Sequence, residues 1–112
     1  MRGRVFVIAG LAVALFAARS EAAPGDAAEM ALAKVLFTKD AVPPCALCHA
    51  LKDAGAAGAV GPVLDELQPD AARVATALKN GIGAMPSYKA SLSEAQIQAL
   101  ARYVAKASGA AK

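Results

Sequence analysis

The sequence predicts an all-α domain of three to four helices, on three observations. The C-terminal region opens with Ser93 and, three residues on, Gln96, a capping-box pair, and then places Ile97, Leu100, Ala101 and Val104 at the spacing of one buried helix face. A second helix is signalled by Pro69-Asp70 ahead of Val74, Ala77 and Leu78, with Asn80-Gly81 as a pair suited to a left-handed C-cap. No stretch alternates apolar and polar residues with a period of two, so no strand is expected.

The other segments follow in chain order. Arg2 and Arg4 precede an apolar run of 14 residues (5–18), and Ser20-Glu21-Ala22 puts small residues three and one before a cleavage point. This is the pattern of a secretory signal peptide, cleaved after Ala22 or Ala23. The run is short of the roughly 20 residues needed to span a bilayer, and no other stretch is long and apolar enough. Asp26 with Glu29 resembles a capping box, opening a helix to about Thr38 with Met30, Ala33, Leu36 and Phe37 on one side. Pro43-Pro44 ends any continuation. Residues 52–61 hold three Gly and few large side chains, which marks a loop.

Removing residues 1–22 changes the charge argument. That segment carries three of the 12 basic residues and one of the nine acidic ones, so the net charge falls from +3 to +1. No basic run or aromatic-basic stripe remains, and nucleic-acid binding loses its support. The remaining chain, about 90 residues, is one domain near the size at which an apolar core is hard to complete. Phe37, Tyr88 and Tyr103 are its only aromatics.

Residues 45–49 read Cys45-Ala46-Leu47-Cys48-His49 and hold both Cys and the only His of the chain. This is the attachment pentapeptide of a c-type haem: each thiol adds across one vinyl group, and the adjacent His is delivered to the iron. A redox dithiol is the competing reading of the two Cys, but no strand precedes them and the export signal argues against a cytosolic dithiol. Structural zinc wants four ligands where Cys and His total three. One haem c, bound through Cys45 and Cys48, would also supply the core volume that the side chains lack. The haem-free chain is therefore expected to be unfolded or molten. The haem motif and the export signal agree on the periplasm of a Gram-negative bacterium.

With His49 committed, the iron's other axial position falls to Met. Met30 lies mid-helix, where Met is usually packing. Met85 lies in Gly81-Ile82-Gly83-Ala84-Met85-Pro86, a loop stiffened by Pro86 and freed by two Gly for close approach to a flat ring. Met85 is the expected distal ligand, and the metal ligands are His49 and Met85.

On Cys45 to His49, Gly61-Pro62-Val63-Leu64, Met85-Pro86 and a last helix carrying Tyr103, the chain resembles class I cytochromes c over residues 23–112, its expected cytochrome c domain. The resemblance implies the cytochrome c fold around one covalent haem, with the Pro62 carbonyl orienting His49. It also implies that the first and last helices cross, Ala33 standing where the family usually has Gly and Tyr103 opposite it. More narrowly, residues 61–103 are similar to the small cytochromes that accept electrons from periplasmic sulfite dehydrogenases.

What the resemblance implies is one-electron transfer and no enzymatic activity. The redox protein partners would be a periplasmic dehydrogenase as donor and an oxidase or reductase as acceptor. A haem edge near Cys45, Ala46, Leu47 and Met85-Pro86 would be the exchange surface, with Lys39, Lys52, Lys79 and Lys89 as steering charges or plain solvated surface. Asp65-Glu66 reads as solvated surface. Two alternatives stay open: a tightly bound cytochrome subunit of a dehydrogenase, or a CO- or NO-binding protein if Met85 is not ligated.

Overall fold

A computed structural model describes residues 3, 9–15 and 25–111. The expected cleavage point after Ala22 lies outside them. Among the described residues, no helix is long and apolar enough to cross a membrane.

The described residues form four α-helices: α1 Gly25–Val35, α2 Leu64–Leu67, α3 Ala71–Asn80 and α4 Glu94–Ala107. In α1, Asp26 sits in the first turn and Lys34 in the last, each facing the favourable end of the helix dipole. The capping box expected of Asp26 and Glu29 is not formed. Gly25 is already helical, Asp26 lies inside the first turn, and the Glu29 carboxylate instead accepts from Arg102 on α4. Past Val35 the chain widens into a π turn over Leu36–Asp40, closed by the Ala41 N–H on the Leu36 carbonyl at 3.0 Å. The wider turn keeps both Phe37 and Ala41 buried.

The all-α expectation needs one correction. Two short antiparallel strands, β1 Ala50–Leu51 and β2 Ala56–Ala57, pair Ala50 with Ala57 and Leu51 with Ala56. Two-residue strands are too short to show a period of two in the sequence. Between them Lys52–Ala54 makes a 3₁₀ turn that ends on Gly55, whose φ of +61° is left-handed.

The later helices start where their caps predict. The Asp70 carboxylate accepts from the Arg73 N–H at 2.8 Å. Ser93 and Gln96 form both bonds of the capping box, at 3.1 and 2.9 Å. At the end of α3, Gly81 has φ +69° and ψ 167°, which is an extended glycine conformation and not the left-handed cap expected. A Cβ there would stand 2.8 Å from the Met85 carbonyl oxygen, so only glycine lets these backbones meet.

Helix α4 packs against both α1 and α3, which is why its burial exceeds one face. Ile97, Leu100, Ala101 and Val104 are buried as expected, and Ala99, Tyr103 and Ala105 are buried with them. Where α1 meets α4, Ala33 is fully buried and the rings of Phe37 and Tyr103 pack edge to face, with centroids 6.1 Å apart. The Tyr103 hydroxyl donates to Asp53 at 2.7 Å and so ties the β1–β2 turn to this crossing.

Candidate haem site

Residues 45–49 leave the fold as a single tight turn. Cys45–Leu47 form one 3₁₀ turn, and the N–H groups of Cys48 and His49 both donate to the Cys45 carbonyl, at 3.2 and 2.9 Å. This winding brings both thiols and the imidazole of this stretch to the wall of one cavity. Both cysteines are free and half-buried. Burial pushes the Cys45 thiol up to about 11, so at neutral pH it is not the thiolate a redox dithiol requires.

His49 is fixed by its ring nitrogen Nδ1, which lies 2.8 Å from the Pro62 carbonyl oxygen. A carbonyl can only accept, so Nδ1 carries the proton and the lone pair is left on Nε2, the form a metal takes. The neighbouring residues carry the same register. The Gly61 N–H donates to the Cys48 carbonyl at 2.7 Å, and the Lys52 N–H donates to Asp65 Oδ2 at 2.9 Å. Each bond joins residues 13 apart, so the stretch after Cys48 is laced rung by rung to the stretch after Gly61. Asp65, expected to be mere solvated surface, supplies the last rung.

Two glycines make this approach possible. A Cβ at Gly61 would lie 2.5 Å from His49 Cε1, and one at Gly58 would lie 2.6 Å from the Cys48 carbonyl carbon and the His49 nitrogen. The two glycines that the sequence assigns to close approach to a flat ring, Gly81 and Gly83, lie in the Met85 loop. Gly83 has no neighbouring atom within 4 Å of its would-be Cβ; its φ of +56° serves a two-residue turn in which Ile82 and Met85 exchange both backbone hydrogen bonds, at 3.0 and 2.9 Å. That turn presents Met85.

His49 and Met85 line the same two cavities, of about 630 and 290 Å³, which also share Cys45, Pro62 and Ile82. The larger is walled by apolar side chains of α3 and α4, among them Val74, Leu78, Leu100 and Val104, with Phe37 behind them. Met30 packs against the core from α1 and lines neither cavity. The smaller cavity is bounded by Pro43, Pro44, Val60 and Tyr88. Tyr88 is buried, and its hydroxyl donates to the Pro43 carbonyl at 2.6 Å; burial first, then the nearby Cys45 and Cys48, push its ionisation up to about 12. No sequence signal marked Tyr88 as more than an aromatic.

The sequence model of the family described as cytochrome c oxidase, cbb3-type, subunit III matches residues 28–104, from within α1 to within α4. The chain belongs to this cytochrome c family. The c-type cytochrome SorU from Sinorhizobium meliloti is similar to it at 49% identity, over 74% of this chain and 94% of that one, with a TM-score of 0.71. No curated protein matches significantly. The cytochrome therefore holds one haem c covalently, through Cys45 and Cys48. Its site fits that group in three respects: two free thiols on one turn, an imidazole with Nε2 open, and an apolar cavity of a cofactor's size beside them.

Proposed function

We propose that this cytochrome is a periplasmic one-electron carrier with His49 and Met85 as the axial ligands of its iron, reduced by a dehydrogenase and oxidised by an oxidase or reductase. The single observation that carries the ligation is that His49, its Nδ1 bound to Pro62, and Met85, presented on a closed turn, line the same cavities as the attachment cysteines. The haem supplies a one-electron couple, which a thioether ligand biases toward the reduced state. The residues do the rest. Pro62 accepts the Nδ1 proton and makes His49 a stronger donor. Leu78, Leu100 and Val104 keep water from one side of the site.

Exchange with partners is assigned to the exposed apolar side chains near the site. Val42, Leu47, Val60 and Ile82 are each more than 60% exposed, a patch suited to a small, transient redox encounter. Of the four candidate steering lysines, Lys79 is paired with Glu94 at 2.7 Å; no ion pair engages Lys39, Lys52 or Lys89 among the described residues. The same apolar patch would serve a tightly bound subunit, and co-purification with a dehydrogenase would select that reading.

Sulfite dehydrogenase is the donor class we assign. Support comes from the resemblance of residues 61–103 to acceptor cytochromes of such enzymes and from the 49% identity with SorU. The export of residues 23–112 after cleavage at Ala22 belongs to the same reading. The test is stopped-flow reduction of the ferric protein by a sulfite dehydrogenase with sulfite, beside the CO affinity of the ferrous form. Fast reduction, a far-red sulfur-to-iron band and slow CO binding are expected. Rapid CO binding without that band would end the carrier reading.

A further inference from the structure

The Met85 turn is anchored on one side by local contacts. Ile82 and Met85 bond each other, the Gly81 N–H continues α3 onto Ala77, and the Ser87 hydroxyl donates to the Lys79 carbonyl at 2.5 Å. All of these hold the loop to α3 or to itself. Across the site lies the chain that leads into Cys45 and His49. Among the described residues, one hydrogen bond joins residues 81–92 to residues 41–49, and it is the Tyr88 hydroxyl on the Pro43 carbonyl, 2.6 Å long and 45 residues apart in sequence.

Tyr88 is built to carry tension. It is 3% exposed, its N–H donates to the Leu78 carbonyl at 2.7 Å, and its own carbonyl accepts from Ser91 and Leu92 at 3.1 and 2.9 Å. The ring is thus fixed at its backbone while its hydroxyl reaches the far wall of the smaller cavity, three residues after Met85. Because no other hydrogen bond among the described residues crosses between these segments, this bond is what the loop must give up to swing away.

We infer that Tyr88 is a positioning residue that straps the Met85 loop to the Pro43 segment and limits how often Met85 leaves the iron. This rests on the ligation proposed above. Replacing Met85 by an outside ligand requires the loop to open, and opening breaks the Tyr88–Pro43 bond. Loss of one hydrogen bond should raise the opening rate roughly fivefold to tenfold.

The experiment mixes ferric holoprotein with imidazole at saturating concentration and follows loss of the sulfur-to-iron band and formation of the imidazole complex in wild type, Tyr88→Phe, Tyr103→Phe and Met85→Ala. Tyr88→Phe keeps the buried ring and removes only the hydroxyl. Tyr103→Phe removes another long-range hydroxyl bond, to Asp53, away from the Met85 loop. Expected are an unchanged resting spectrum in Tyr88→Phe, exchange faster than wild type by that factor, and a wild-type rate in Tyr103→Phe. Equal rates in wild type and Tyr88→Phe, or equal acceleration in both tyrosine variants, would overturn the strap while leaving Met85 as ligand. If wild type takes imidazole as fast as Met85→Ala, the ligation itself fails and the strap falls with it.

Discussion

Gly61→Ala is the sharpest probe of the His49 side. Gly61 has no positive φ, so the substitution costs nothing in backbone conformation, and its whole effect is steric. The new methyl would stand 2.5 Å from His49 Cε1, 2.9 Å from Nδ1 and 3.0 Å from Nε2. Ordinary contact begins at 3.4 Å, so ring and backbone must part by about 0.9 Å. Two bonds stand in the way: His49 Nδ1 to Pro62 at 2.8 Å and the Gly61 N–H to Cys48 at 2.7 Å. Lengthening the first by that amount breaks it. With His49 as the proposed ligand, the imidazole then loses the partner that makes it electron-rich, the oxidised iron would be stabilised less, and the potential should rise. One hydrogen bond of about 1 kcal/mol corresponds to roughly 40 mV in a one-electron couple. The assay is spectroelectrochemical titration of the holoprotein together with its yield. Gly55→Ala is the control, since Gly55 has open space around it but a φ of +61°. That variant should lose about 1 kcal/mol, a few degrees in Tm, with an unmoved potential. A Gly61→Ala protein with wild-type potential and yield would refute the close-approach reasoning.

Other expectations follow from the same geometry. Met85→Ala should give a ferrous protein that binds CO rapidly, read by flash photolysis. Ser93→Ala should lower stability by about 1 kcal/mol in a denaturant titration, because it removes the side chain that accepts from the Gln96 N–H. Tyr88 and Tyr103 both have ionisation raised above the ordinary value near 10, chiefly by burial, and both hydroxyls must stay protonated to donate to Pro43 and Asp53. Their contribution is complete below pH 10 and is lost as pH rises through the folded values, so stability should fall above pH 10 and fall less in the two Phe variants. Removing the haem should abolish the cooperative near-UV CD transition of the protein.

Local chemistry made much of this legible. The cap residues Asp70 and Ser93 act on their own N-termini, so three or four residues of sequence suffice to read them. The pentapeptide is likewise local. What escaped was set by partners far away in the chain. Glu29 looks like a capping residue until Arg102, 73 positions on, claims it. Asp65 looks like surface until the Lys52 N–H is folded against it. The glycines show the same division: a Gly can be seen in the sequence, but whether it serves a positive φ, as Gly83 does, or an approaching ring, as Gly61 does, depends on what arrives beside it.

The rungs Cys48–Gly61, His49–Pro62 and Lys52–Asp65 have a consequence for the chain they enclose. They close the base of an excursion whose tip, Gly55, is exposed and has open space where a side chain would stand. Chain added at such a tip costs little closure entropy, because lengthening a loop weighs only logarithmically. A fluorophore or an affinity tag inserted at Gly55 would hang outside a gate already shut, and the His49–Pro62 pair would not register its presence.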